Sequence, residues 1–164
     1  SVAIAARLKA KWALHEARIV LITDACYLTR PKVAAALDVL VENNGEVWAK
    51  LDAGTEEHFR KINRPNFPLR HVVDTIASAA QRHPVCIPSL WMRLHGEPPG
   101  ESEVEAFGDR LMEIVTAGGR IPLVQVYTIA RQPTESYVTP LAADELERIA
   151  ARIRHRTGLT TAVY

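Results

Sequence analysis

Apolar positions along the chain switch between a period near 3.6 and a period of two, and each switch marks an element. Val2, Ile4, Ala5, Leu8, Trp12 and Leu14 stand at roughly helical spacing among Arg7, Lys9 and Lys11. This predicts a helix with a basic outer face that needs a sheet to lie on. Arg18 to Asp24 is a nearly continuous β-branched run, the pattern of a strand buried on both faces, closed by the polar Thr23 and Asp24. Pro31 suits a first helical position, and Val33, Leu37, Leu40 and Val41 carry that helix to a turn at Asn43-Asn44-Gly45.

The next strand, Glu46 to Asp52, is the one around which the rest is arranged. Alternation puts Val47, Ala49 and Leu51 on one face and Trp48, Lys50 and Asp52 on the other, so a cation and an anion share a side. Ala53-Gly54 lets the backbone turn, Thr55 is placed to cap a helix, and Glu56 and Glu57 sit where its dipole favours negative charge. Phe59 and Ile62 form its inner side, and Asn63-Arg64-Pro65 ends it. A helix over 67–82 leads to a strand from Val85 to Met92, in which Pro88 should break the ladder or mark a bulge. A loop over 94–102 leads into a helix with an acidic start at Glu101, Glu103 and Glu105 and with Val104, Phe107, Leu111, Ile114 and Val115 inward, stopped by Gly118-Gly119. A strand over 121–130, a Pro- and Thr-containing loop, a helix over 144–157 and a last strand over 159–164 complete the chain.

About five strands alternating with helices predict an α/β fold with a parallel sheet. The pattern leaves two forms open, a doubly wound sheet and part of a (β/α) barrel. At 164 residues and 48% hydrophobic content, one folded unit over 1–164 is expected. Twenty basic against nineteen acidic residues supply no broad field for phosphate backbone or anionic membrane. Cys26 and Cys86, each inside an expected strand, belong to no metal-ligand spacing and read as buried free thiols. With no membrane-length apolar run and no leader pattern, the chain reads as cytoplasmic. It opens on Ser1 in helix-like sequence, which suggests a piece of something longer.

In a parallel sheet the strand ends share one mouth. Thr23, Asp24, Lys50, Asp52, the run Ser89 to Arg93 and the run Tyr127 to Arg131 would meet there. No Gly-rich phosphate loop, HExxH or GxSxG occurs, and the six histidines read as surface or helix-end residues, His95 least so because it follows a strand. Lys50 with Asp52 suits acid-base work and a structural ion pair equally. Trp48, Trp91 and Tyr127 read as core or pocket wall. The residues alone stop at a polar mouth with no complete catalytic set.

Four stretches in order carry a resemblance. Leu21-Ile22-Thr23-Asp24-Ala25, Lys50-Leu51-Asp52-Ala53-Gly54-Thr55 with Ile62-Asn63-Arg64-Pro65, Ser89-Leu90-Trp91-Met92-Arg93 with Gly96-Glu97, and Leu123 to Arg131 with Pro133 resemble the third to sixth strands of radical S-adenosylmethionine (radical SAM) Fe-S oxidoreductases. The group in view includes the wyosine-type tRNA-modifying synthases. The resemblance implies the C-terminal part of a partial (β/α)6 barrel, from about the third helix onward. It implies S-adenosylmethionine contacts at Lys50, Asp52, Tyr127 and Ile129, with Lys50 near the ribose or methionine and Ile129 near the adenine. It further implies a substrate or cofactor pocket of Thr23, Asp24, Ser89 and Arg93. Relatives hold a 4Fe-4S cluster on a CxxxCxxC loop, which this sequence lacks, so no catalytic residue or metal ligand is assigned and the chain is expected to be inactive alone. The competing expectation is a non-catalytic half-barrel that binds a small molecule or protein through an open sheet edge, with self-association there. A tRNA partner finds no support in the charge.

Overall fold

The computed structural model describes all residues, Ser1–Tyr164. Its main sheet has β1 (Ile19–Thr23), β2 (Gly45–Ala49), β3 (Val85–Leu90), β5 (Val124–Tyr127) and β7 (Thr161–Val163), side by side in that order and all parallel. The connections are α2 (Pro31–Glu42), the pair α3 (Glu56–Asn63) and α4 (Leu69–Arg82), α5 (Glu101–Thr116) and α6 (Ala143–Thr157). Strand order follows chain order without reversal. A doubly wound sheet needs a reversal to place helices on both faces, whereas crossovers of one hand running one way put every helix on the same side. The architecture is therefore a segment of a (β/α) barrel wall.

The apolar core fills the helix side. Val47, Ala49, Leu51, Val85, Ile87, Val124 and Val126 meet Leu37, Leu40, Val72, Ile76, Phe107, Ile114 and Ile153, all buried. On the other face Val20 and Ile22 are 41% and 60% exposed, which corrects the expectation that β1 is buried on both sides. Trp48, Leu90 and Tyr127 also stay outside the core.

Several boundaries differ from the sequence reading. The stretch Val85 to Met92 divides, because β4 (Met92–Leu94) leaves the sheet to pair antiparallel with β6 (Val138–Pro140). Ladder pairing of β2 ends at Ala49, so Lys50–Asp52 follow the strand; β5 and β7 are likewise shorter than the apolar runs that contain them. Cys26 lies in the loop after β1, outside any strand, and both cysteines are free and half-buried.

Pro88 breaks a ladder on one side only. The Ile87 N–H donates to Leu123 O at 2.9 Å toward β5, while Pro88 O accepts from Leu51 N at 3.3 Å toward β2. In a parallel strand the N–H and C=O of one residue face the same neighbour. The donor that proline lacks therefore belongs to the β2 side, while β3–β5 pairing runs unbroken from Ile87 to Leu90.

Helix α1 (Val2–Lys11) overturns its expectation. It packs beside α2, not on the sheet, with Ala6 and Lys9 buried and the Lys9 Nζ donating to Asn43 O at 2.8 Å. Its apolar stripe of Ile4, Leu8 and Trp12 faces solvent. No helix is long and apolar enough to cross a membrane.

Candidate functional site

The carboxyl ends of β2, β3 and β5 build a polar corner on the helix-free side. Just after β2, Lys50 Nζ stands 3.2 Å from Asp52 Oδ2, so the two are in ion-pair contact. Asp52 is 4% exposed and its carboxylate is fully engaged: Oδ1 accepts the Leu90 N–H at 2.9 Å and Oδ2 accepts from Asn63 Nδ2 at 3.1 Å. Leu90 N–H faces β2 just beyond the backbone bond from Leu51 N to Pro88 O, and there the side chain of Asp52 supplies the acceptor. Burial pushes the Lys50 ammonium down, but Asp52, then Tyr127 and Asp24, outweigh it and hold its pKa above the ordinary lysine value. Burial, with Asp52 adding to it and Lys50 opposing, raises the Tyr127 hydroxyl. Lys50 is thus a fixed cation at the mouth, with Tyr127 a neutral hydroxyl beside it.

The loop that follows is held by a residue that in the sequence marks only the acidic start of a helix. Glu103, in the first turn of α5 and 6% exposed, accepts the Gly54 N–H at 2.5 Å and the Thr55 N–H at 3.3 Å on Oε1, and the Thr55 hydroxyl at 2.5 Å on Oε2. Thr55 Oγ1 in turn accepts the His58 N–H, the N-cap expected from sequence. Glu103 reads in sequence as one of several helix-start acids, and its partners lie nearly fifty residues away. The retrievable signal is indirect: Gly54-Thr55 presents adjacent donors that need an acceptor once buried.

His58 lies half-buried beside this anchor. Burial holds its pKa below the ordinary 6.5, partly offset by Glu103. A histidine depressed in the folded state binds fewer protons than in the unfolded chain, so stability is complete above pH 6.5 and declines as pH falls below it. Urea midpoints measured at pH 5.5 and 7.5 should differ more for the wild type than for His58→Gln.

The other expected site residues separate. Thr23 pairs with Ala49 and so lies on the helix side, its Oγ1 accepting the Ala25 N–H at 3.2 Å. Ser89, paired with Val126, is wholly buried on that side too, with no hydrogen-bond partner for its hydroxyl. Neither faces the Lys50 corner. Arg93 belongs to β4 and donates to Glu145 Oε1 at 2.6 Å and Gly96 O at 2.9 Å; the Ala142 N–H and then Arg93 hold the Glu145 carboxyl below its usual range. It fastens the β4–β6 arm to α6. Asp24 stands at the end of β1, close enough to influence Lys50. Ile129 follows β5 and lines a groove of about 500 Å³ walled by the 130–140 loop. His95 stacks on Tyr137, centroids 4.4 Å apart, and Arg64 donates to Glu135 Oε1 and Tyr137 Oη at 2.8 and 2.9 Å. Trp91 is core, edge-on to Phe107. Lys50, Asp52 and Tyr127 therefore come together, with Asp24 at their edge.

No protein-family model matches the sequence, and no curated protein matches it. Solved structures do. A domain of pyruvate-formate lyase-activating enzyme from Bacteroides vulgatus superposes with a TM-score of 0.67 at 10% identity, over 99% of this chain and 91% of that one. A radical SAM methyltransferase from Sphaerobacter thermophilus gives 0.64 at 13% identity, over 89% of this chain and 40% of that one. The chain shares their fold. At these identities the likeness is one of fold alone, and neither protein is a wyosine-type synthase, so that finer assignment gains no support.

Proposed function

We propose that the chain is the cofactor-facing part of a radical SAM barrel, in which S-adenosylmethionine lies across the carboxyl ends of β2, β3 and β5. The observation that carries this reading is the helix-free sheet face ending in the Lys50–Asp52–Tyr127 corner. A held ammonium and a neutral phenol suit ribose hydroxyls and a carboxylate, while a purine would have to reach past Tyr127 to the separate groove that the half-buried Ile129 lines. The donor set thus fits S-adenosylmethionine.

It does not fit an iron-sulfur cluster. Such a cluster needs several thiolates together, whereas Cys26 follows β1 at its carboxyl end and Cys86 lies near the amino end of β3. No three His, Cys, Asp or Glu side chains are placed to hold a metal. In this reading S-adenosylmethionine supplies a 5′-deoxyadenosyl radical only when neighbouring strands bring the cluster. Two features support such neighbours: β1 pairs on one edge only, with Val20 and Ile22 bare, and α1 leaves Ile4, Leu8 and Trp12 uncovered. A further strand and helix would satisfy both.

Calorimetric titration with S-adenosylmethionine tests the reading. Saturable binding that Lys50→Ala weakens about tenfold, the loss of one charged hydrogen bond, is expected. Absence of binding, or affinity indifferent to Lys50, would overturn it. The bare edge favours a second reading, a non-catalytic half-barrel that pairs with another protein or with itself. No S-adenosylmethionine binding together with concentration-dependent dimers in sedimentation would select that one.

A further inference from the structure

Three residues past Asp24, the loop between β1 and α2 displays a small aromatic assembly. Tyr27 is 43% exposed, yet its backbone is fixed: Ala25 O accepts the buried Thr75 hydroxyl at 2.9 Å, and Cys26 O lies 2.9 Å from His71 Nε2 on α4. Leu28 anchors the same loop in the core. The Arg30 guanidinium carbon stands 3.9 Å from the centre of the Tyr27 ring. Phe67, from the α3–α4 connection, meets Tyr27 edge-on with centroids 5.6 Å apart and stacks on His71 at 4.7 Å.

Structural need explains the pinned backbone but not what it presents. Thirteen of the twenty basic side chains pair with a carboxylate, whereas the exposed Arg30 and Lys32, like Arg7, Lys11 and Arg131, have neither an ion-pair nor a hydrogen-bond partner, and of these five Arg30 is the one that rests on an aromatic ring. An arginine resting on an aromatic ring keeps its outer face for a second flat group while its N–H groups remain free for an anion. Flat ring and anion in one ligand is the chemistry of a nucleotide, and arginine planes and aromatic rings are the usual stacking partners of bases. A loop already fixed by α4 loses little entropy on binding.

We infer that the Tyr27–Arg30–Phe67 rim is a nucleotide-binding site, taking a base against the Arg30–Tyr27 pair and a phosphate between Arg30 and Lys32. It is separate from the S-adenosylmethionine reading and stands or falls without it. The balanced net charge confines the site to one or a few nucleotides.

The test is titration of the 164-residue chain with AMP, followed by amide NMR. Saturable shifts confined to residues near Tyr27, Arg30 and Phe67 are expected, weakened about tenfold by Tyr27→Ala and by Arg30→Ala. Arg30→Lys should weaken binding too, because charge without the flat guanidinium is not enough. Lys50→Ala and excess S-adenosylmethionine should leave it unchanged, which separates this site from the Lys50 corner. A uridine octamer that binds more tightly than AMP assigns the nucleotide to a single strand; one that binds no more tightly assigns it to a free nucleotide. No saturation, inorganic phosphate binding as tightly as AMP, displacement by S-adenosylmethionine, or affinity unaltered in both alanine variants would overturn the inference. Tyr27 and Arg30 are exposed, so both variants should fold, and a thermal melt of each checks this.

Discussion

Gly54→Ala is expected to remove about 3 kcal/mol of folding stability, at the upper end of what overpacking costs. A Cβ built on Gly54 falls 2.0 Å from Phe107 N, 2.5 Å from Ala106 C and 2.6 Å from Phe107 Cα. All three are backbone atoms of α5, so no side chain can rotate out of the way. Relief requires α5 to move, and α5 carries both the fully buried Phe107 and the carboxylate that holds Gly54 and Thr55. The methyl group would therefore open part of the core and lengthen charge-assisted hydrogen bonds at once. Urea unfolding followed by circular dichroism reads the effect as a lower midpoint at unchanged slope. A loss under about 1 kcal/mol would show that the loop relaxes independently of α5.

Asp52→Ala is expected to cost a similar amount, about 3 kcal/mol, for an electrostatic reason. It strips the acceptor from the Leu90 N–H, the Asn63 amide and the Lys50 ammonium together. Asp52→Asn keeps one oxygen for Leu90 but turns an amide donor toward two others, so about 2 kcal/mol is expected. Lys50→Ala should cost less than either, because Lys50 is a third exposed and leaves a carboxylate still satisfied by two donors. That ranking, measured in the same denaturant series, separates a scaffold carboxylate from a partner kept only for Lys50. If Lys50→Ala matched Asp52→Ala, the scaffold role would be wrong.

Much of the frame was readable from periodicity. Val47, Ala49 and Leu51 opposite Trp48 and Lys50 gave β2 its facing, and the Lys50–Asp52 pair and Thr55 cap follow from spacing and helix chemistry. Facing failed where every position is apolar: Ile19 to Ile22 contains no polar residue to say which side is wet, so Thr23 could not be placed. Ser89 was decipherable, since it keeps step with the buried Val85 and Ile87, and that parity turns it away from the mouth even though it stands at a strand end. Glu103 and the α1 packing were not decipherable. A carboxylate reaching Gly54 and a lysine reaching Asn43 O depend on contacts that no local pattern records. Periodicity alone likewise could not choose the barrel over the doubly wound sheet; the resemblance implied the barrel, and the spatial strand order bears it out.

The donor that Pro88 lacks makes one seam of the wall unlike the others. Between β3 and β5 the backbone is stitched throughout, but between β2 and β3 a stitch is missing and the side chain of Asp52 closes the row above it. Curvature of the wall can therefore concentrate at that seam, where bending stretches one fewer bond. The cationic corner spans it, with Lys50 on one bank and Tyr127 on the far one, so a small rotation there would alter the distance between them without disturbing either half.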